Sequence, residues 1–419
     1  MAPQPQAGEL LDHLFRQMAG KMTAHVTRLL GSARLDVAEE IAQETMLRAL
    51  QTWPYQGVPD NPPGWLFRTA RNLALDLLRH EQMTDRKHQQ AGGDAATQPL
   101  NEDADVEAEL RDDELRMIFM CCHPHIPRDA SVALSLKSVG GFSVREIARA
   151  FLTEEATIAQ RLVRAKRHIR ERELTLDLPR AEELKARLDT VLEALYFVFN
   201  EGYAAHEGED LIRRDLCFEA LRLARLIASS SLAVPRVHAL AAMMALQAAR
   251  LPARVDALGE LVLLEDQDPT LWDQQLIALG FHHFDLSMEG NEVSEYHVQA
   301  AIAATHIRSR MQGSVDWPAI LRLYDQLLEM SGSPVVALNR AVALAKVHGP
   351  AEALKATDRL AANPALRAYY LLRAVRGHLL LDLGRREEAA ECFRGALELR
   401  CSEPERRLLR AKLKECEEA

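Results

Sequence analysis

Aromatic residues are scarce in this sequence: only 5% of its 419 residues are Phe, Trp or Tyr. Runs of β-branched residues are scarce too, while Ala, Leu, Arg and Glu abound. Those four are strong helix formers, so the composition predicts an all-α protein and argues against a sandwich or barrel. Cysteine is sparse and has no C-x-x-C spacing; the six are Cys121, Cys122, Cys217, Cys392, Cys401 and Cys416. A secreted disulfide framework is therefore not expected, and reduced thiols in the cytoplasm are. Long apolar runs are missing: the longest, LAVPRVHALAAMMALQAA, is broken by Pro235, Arg236 and His238 and falls short of a membrane span. The first residues, MAPQPQAGELLDH, lack the basic and apolar segments of a secretion signal. There is no phosphate loop and no nucleophile–base spacing, so neither an enzyme nor a cofactor is expected.

What is present divides along the chain. At 419 residues it is too long for one core. Residues 8–87 carry dense helical patterns. Residues 88–108 begin with low apolar content (QQAGGDAATQP) and turn acidic, which reads as a flexible linker. Residues 109–176 are helical and become basic, and 177–419 are helical with breaks at prolines. In the last part, VALNRAVALAKVHGPAEALKATDRLAANP is followed by YLLRAVRGHLLLDLGRREEAAECFRGALEL. Gly377, Leu380, Gly384, Ala389, Phe393, Ala396 and Leu399 of the second unit sit where tetratricopeptide-type helix pairs place packing residues. TPR-like repeats are thus expected over about 334–401, within a stack completed by the preceding helices.

The charge has one conspicuous concentration. The formal net charge is -10, yet TIAQRLVRAKRHIR (157–170) holds five Arg and Lys. Ile158, Leu162, Ala165 and Ile169 recur at helical spacing and define an inward stripe. Arg161, Arg164, Lys166, Arg167 and Arg170 then fall on the outer flanks. Just upstream, Val144, Ile147, Ala148 and Phe151 make a second stripe, opened by a Ser143–Glu146 capping box. Two short helices with a tight turn, the second basic outside, form a helix-turn-helix layout. Such a face attracts phosphates, and base reading falls to residues near the helix start, Glu155, Thr157, Gln160 and Arg161.

EIARAFLTEEATIAQRLVRAKRHIR resembles region 4.2 of the extracytoplasmic-function sigma factors of the sigma-70 family. The matching positions are Glu146-Ile147-Ala148, Thr157-Ile158, Arg161-Leu162 and Arg164-Ala165-Lys166; Leu152 stands in the turn where the family often has Gly. DVAEEIAQETMLRALQTWP resembles region 2.1–2.2, and NPPGWLFRTARNLALDLLRHE resembles region 2.4. The resemblance implies two small sigma domains, region 2 and region 4, joined by the linker. It gives –35 promoter DNA to Glu155, Thr157, Gln160, Arg161, Arg164, Lys166 and Arg167. It gives core RNA polymerase to Glu40, Gln43, Glu44, Leu47 and Arg48, an outer helix face with a leucine among charges. It gives the –10 element to Arg68, Arg71, Asn72 and Arg79, with Trp53, Tyr55 and Asn61 of the preceding loop as candidates to hold an extruded base, the alternative for Trp53 and Trp65 being a place in the core.

The stretch YFVFNEGYAAHEGEDLIRRDL is unusually polar between apolar helices. Gly202 is placed to end a helix in the left-handed conformation. The same stretch resembles the entry to the long C-terminal extension of one sigma subgroup, the type with a tetratricopeptide-like tail, which makes Asn200, Glu201, Gly202, Tyr203 and Asp210 candidates for a regulatory or docking role toward a protein or ligand. FMCCHPHIP gathers Cys121, Cys122, His123 and His125, but adjacent ligands do not suit one tetrahedral metal, and no metal site is expected. His282, His283, His297 and His306 read as core or loop histidines. The alternatives are a helix-turn-helix regulator with a helical sensor domain, which needs no region 2, and an enzyme built around Asn200–Asp210.

Overall fold

The apolar periodicities become helices wherever the structure is described. The computed structural model describes residues 5–88, 113–150, 153–176, 181–203, 212–230, 232–256, 259–311 and 313–418. Among these there are eighteen α-helices and no strand, only an isolated bridge between Val255 and Leu261. The chain forms two compact units, Met1–Val198 and Phe199–Ala419. From residue 89 onward, the expected linker lies outside the described residues.

In the first unit, α1 (Pro5–Leu30), α2 (Leu35–Gln56) and α3 (Pro62–His88) pack around Met22, Val26, Ala38, Ile41, Met46, Trp53, Leu66 and Ala70. Asn61 starts α3 by accepting the Gly64 amide at 2.9 Å through its side-chain oxygen, and Pro62 and Pro63 occupy the first turn, where no amide is needed. A second group follows: α4 (113–121), α5 (Arg128–Ser138), α6 (Val144–Ala150) and α7 (Glu155–Glu171). Its core holds Met117, Phe119, Leu134, Ile147, Ile158, Leu162 and Ile169. The capping box of α6 is present, with the Glu146 amide donating to Ser143 Oγ (3.2 Å) and the Ser143 amide donating to Glu146 Oε2 (2.8 Å). Helix α7 has Glu154 at its N-cap without a side-chain capping bond, and its first turn carries Glu155.

The two groups of helices do not stand apart. Gly20 in α1 lies so close to the end of α5 that a Cβ there would come within 1.8 Å of the Val139 carbonyl oxygen. His25 Nδ1 and Arg28 Nε reach the buried Asp113 carboxylate of α4 at 2.9 and 2.8 Å.

In the second unit, α8 (Ala181–Tyr203) contributes its last residues, followed by α9 (Arg214–Ala228), α10 (Pro235–Ala248), α11 (Gln274–Ser287), α12 (Glu295–Met311) and α13 (Trp317–Ser331). Helix α10 is buried almost all round because Ala dominates it, and Gly280 of α11 lets the two backbones approach: a Cβ there would sit 2.6 Å from Leu246. Two helical hairpins and a last helix complete the unit: α14 (Pro334–His348) with α15 (Pro350–Ala361), α16 (Tyr370–Asp382) with α17 (Arg386–Leu397), and α18 (Glu403–Glu417). The hairpin turns carry Gly349 and Gly384 at positive φ, and Gly377 receives the Phe393 ring. The packing residues expected from the repeat pattern therefore do pack: Leu380, Ala389, Phe393 and Ala396 are all buried in one cluster.

Candidate nucleic-acid interface

The basic helix α7 presents two different flanks. Ile158, Leu162, Ala165 and Ile169 face the core. Glu155, Gln160, Arg164 and Arg167 are exposed, with Thr157 and Arg161 half-buried beside them. Val163 is exposed in the middle of this face; no charge pattern marks it, yet it offers an apolar contact of the kind a thymine methyl accepts. Arg161 is partly engaged, its Nε 3.0 Å from Asp129 of α5, and Arg167 lies 3.7 Å from Glu171 one turn on. These pairs are open to solvent, so phosphates compete for the guanidinium groups at little cost.

Lys166 departs from the sequence expectation. It does not lie on the outer flank but turns toward α2, where its Nζ donates to Asp36 Oδ1 (2.6 Å) and Glu39 Oε2 (2.8 Å). Burial works against the ammonium, but Glu39 and Asp36 outweigh it and hold the Lys166 pKa above the ordinary lysine value. The same Glu39 accepts from Ser138 Oγ of α5 at 2.9 Å. The periodicity gave only the angle around α7; the partner across that angle comes from a segment 130 residues away.

On α2, Glu40, Gln43, Glu44, Leu47 and Arg48 share one exposed face, with Glu44 and Arg48 paired at 2.9 Å. Leu47 is 48% exposed and is joined by the exposed Leu50, which the sequence reading passed over although it lies three residues on. Two bare leucines ringed by charge make an apolar centre with a polar rim.

Helix α3 leaves Arg68, Asn72 and Arg79 exposed and Arg71 half-buried, and Arg79 pairs with Asp76 at 3.1 Å. Tyr55, expected in the loop before α3, lies in the last turn of α2 and is 90% exposed, a free ring. Trp53 is a correction: it is 2% exposed, packed edge-on against Trp65 in the core, and has no face to offer a base. Its position fits the α2 inner stripe (Ala38, Ile41, Ala42, Thr45, Ala49), which overrides its place beside the loop. Asn61 spends its side-chain oxygen on capping α3.

The residues around Asn200 are built into the fold. Glu201 is buried and pairs with Arg213 at 3.0 Å, while Arg254 lies 3.8 Å over the Tyr203 ring and donates to the Tyr203 carbonyl oxygen. Gly202 does not end α8 in a left-handed turn; it is helical, and a Cβ there would meet the Arg213 carbonyl oxygen and the Cys217 amide, both at 2.8 Å. Asn200 is half-buried, and Asp210 lies outside the described residues. Cys121 and Cys122 are both buried, which pushes the Cys122 thiol up to about 12 and Cys121 well above its ordinary value. Among the described residues no cluster of three or more His, Cys, Asp or Glu is arranged to hold a metal ion, and no helix is long and apolar enough to cross a membrane.

Comparison with known proteins identifies the two groups of helices in the first unit. Residues 14–84 match the family model of sigma-70 region 2, and residues 116–169 match sigma-70 region 4. The chain is 31% identical over 135 residues to the ECF RNA polymerase sigma factor EcfG of Rhodopseudomonas palustris, covering 32% of this chain and 70% of that protein. The chain belongs to the extracytoplasmic-function sigma factors. It is also 27% identical over 161 residues to the ECF RNA polymerase sigma factor SigE of Mycolicibacterium smegmatis, 38% of this chain and 60% of the other. Over nearly its whole length it is similar to an uncharacterized protein, R00370, of Rhizobium meliloti, at 39% identity over 391 residues and 90% of both chains. Residues 187–288 match a family of unknown function, DUF6596, which fits a large extension beyond region 4 in this sigma factor. No solved structure matches the chain. Binding core RNA polymerase and recognising promoter DNA are general roles of sigma factors.

Proposed function

We propose that this sigma factor docks on core RNA polymerase through the Glu40–Arg48 face of α2, contacts –35 DNA through the exposed flank of α7, and opens the –10 element with α3 and Tyr55, under the control of its C-terminal extension. The observation that carries this reading is the pairing, in one chain, of two unlike faces. One is an apolar patch ringed by charge on α2; the other is a basic helix whose exposed Arg164 and Arg167 carry no deeply buried pair. A duplex-binding regulator needs only the second, so the α2 face supports the sigma reading over the helix-turn-helix regulator. Tyr55 takes the stacking role first considered for Trp53, because an exposed ring stacks on an unpaired base. Arg68, Asn72 and Arg79 line the exposed side of α3 for the backbone of the opened strand. The reading places the protein in the cytoplasm with the polymerase and assigns it no chemistry of its own.

Run-off transcription with purified core polymerase and a pre-melted promoter template tests it. Full-length protein is expected to stimulate initiation, Leu47→Asp to weaken core binding roughly tenfold, and Arg164→Ala to weaken promoter binding in a salt-dependent way. Absence of any stimulation would overturn the sigma reading. For the extension, Tyr203→Phe keeps the ring under Arg254 and serves as a control, while Asn200→Ala, at a half-buried position, is expected to alter promoter output without lowering the melting temperature. Unchanged output from Asn200→Ala removes that residue from any regulatory role.

A further inference from the structure

The second unit carries a cavity of about 530 Å³, open to solvent on one side and lined by residues of the segment 261–266 and by faces of α12, α13, α14, α16 and α18. That volume is in the range of sites that hold small molecules. Its chemistry has three layers. Apolar and aromatic walls come from Trp317, Tyr324, Tyr370, Val375 and Leu379. Among them lies His306, 7% exposed, its ring edge-on to that of Trp317. Burial, with Arg250 nearby, lowers the pKa of His306 to about 4, so its ring is neutral at physiological pH and adds no positive charge to the wall.

The third layer is charged and unbalanced. Lys346 is paired with Glu265 at 2.8 Å, and Lys412 with Glu415 at 2.9 Å, the latter carboxylate outside the lining. Glu405 accepts from the Ser402 amide and hydroxyl at 2.9 and 2.8 Å. Asp266 and Asp382 also line the cavity; both are exposed, and neither forms an ion pair among the described residues. The cavity thus carries surplus negative charge above an apolar, aromatic floor.

We propose that this cavity is a binding site for a small organic amine: an aromatic or aliphatic body against Trp317, Tyr324 and Tyr370, and an ammonium group drawn by the unpaired carboxylates of the lining, Asp382 or Asp266. Aromatic faces and carboxylates both favour a cation, and both disfavour the matching carboxylate ligand. The site deepens the reading of the extension as the regulatory part of the sigma factor, because it supplies a chemical signal for that part to sense; the binding itself does not depend on transcription.

The test is calorimetric titration of the full-length protein, without polymerase or DNA, using tryptamine and phenethylamine as probes and indole-3-acetate and phenylacetate as their acidic counterparts. The amines are expected to bind at least tenfold more tightly than the acids. Asp382→Asn, at an exposed position, is expected to weaken the amines roughly fivefold. Val342→Trp, on the exposed lining face of α14, is expected to abolish binding by filling the cavity, with an unchanged circular dichroism melt. Equal affinity for amines and acids, no amine binding at millimolar concentration, or amine binding untouched by both variants would each overturn the proposal. Any of these leaves the run-off result standing, and a failed run-off assay leaves the titration standing.

Discussion

The two units are held together by different chemistry. In the first, the region 2 and region 4 helices meet through charge, in addition to the close approach of Gly20 to Val139: Asp113 lies between His25 and Arg28, and Lys166 between Asp36 and Glu39. In the second, neighbouring helices meet through small residues, with Leu246 against Gly280 and Phe393 against Gly377. Small-residue packing fixes two backbones at one distance and tolerates little adjustment. A charged join can be exchanged for other charges, and Asp36, Glu39 and Lys166 belong to the same helices, α2 and α7, that carry the proposed polymerase and promoter faces. Glu39 and Lys166 satisfy one another in the first unit. The difference suits a chain in which one part changes partners and the other serves as a fixed frame.

The comparison can be broken or sharpened by experiment. The largest effect is expected from Phe393→Ala, which empties the space above Gly377: about 4 kcal/mol lost from the second unit, seen in a thermal melt or by hydrogen exchange in α16 and α17. A comparable loss by an Ala substitution at an exposed position of α17 would contradict the packing argument. Next comes pH. Burial lowers His306 and His283 to about 4, whereas an unfolded histidine titrates near 6.5. Between those values the unfolded chain binds more protons than the folded one, so stability rises with pH across the window. Acidification from about 7 to 4 is therefore expected to cost the second unit roughly 3 kcal/mol through His306 alone, and His306→Leu should flatten that slope.

Asp113→Asn comes third. It leaves Arg28 and His25 facing a neutral amide, and a loss of about 2 kcal/mol is expected, confined to the first unit and read as faster exchange in α4. Lys166→Ala is the mildest, about 1 kcal/mol at low salt and less at high salt, because one partner, Asp36, is half open to solvent while Glu39 is largely covered. Its pH behaviour runs opposite to that of the histidines: a lysine with a raised pKa contributes fully below its ordinary pKa, and the contribution fades only as alkaline pH passes the raised value. A salt-independent Lys166 effect, or equal salt sensitivity in both units, would erase the contrast.

Much of this architecture was legible in the chain. The inner stripe of α7, the Ser143–Glu146 box and the packing of Gly377 against Phe393 all follow from local spacing, since 3.6-residue periodicity decides which side chains share a face. The α2 face was legible for the same reason, although Leu50 was missed beside Leu47. What failed to read was anything set by a distant partner. Trp53 looked like a loop residue next to Tyr55, but the α2 stripe runs through it and Trp65 covers it. Gly202 looked like a helix end, whereas the close approach of Arg213 and Cys217 makes it a packing glycine inside α8.

The sequence by itself determined the helical class, the inward stripe of each helix and the family, because these rest on residue type and spacing within a few turns. Only the tertiary structure decided that Lys166 turns from the exposed flank of α7 to Asp36 and Glu39, that Trp53 is core, and that His306 and Asp382 line one cavity. Each of those depends on which side chains meet across segments far apart in the chain, and a charge or an imidazole acquires its role from that meeting rather than from its neighbours in sequence.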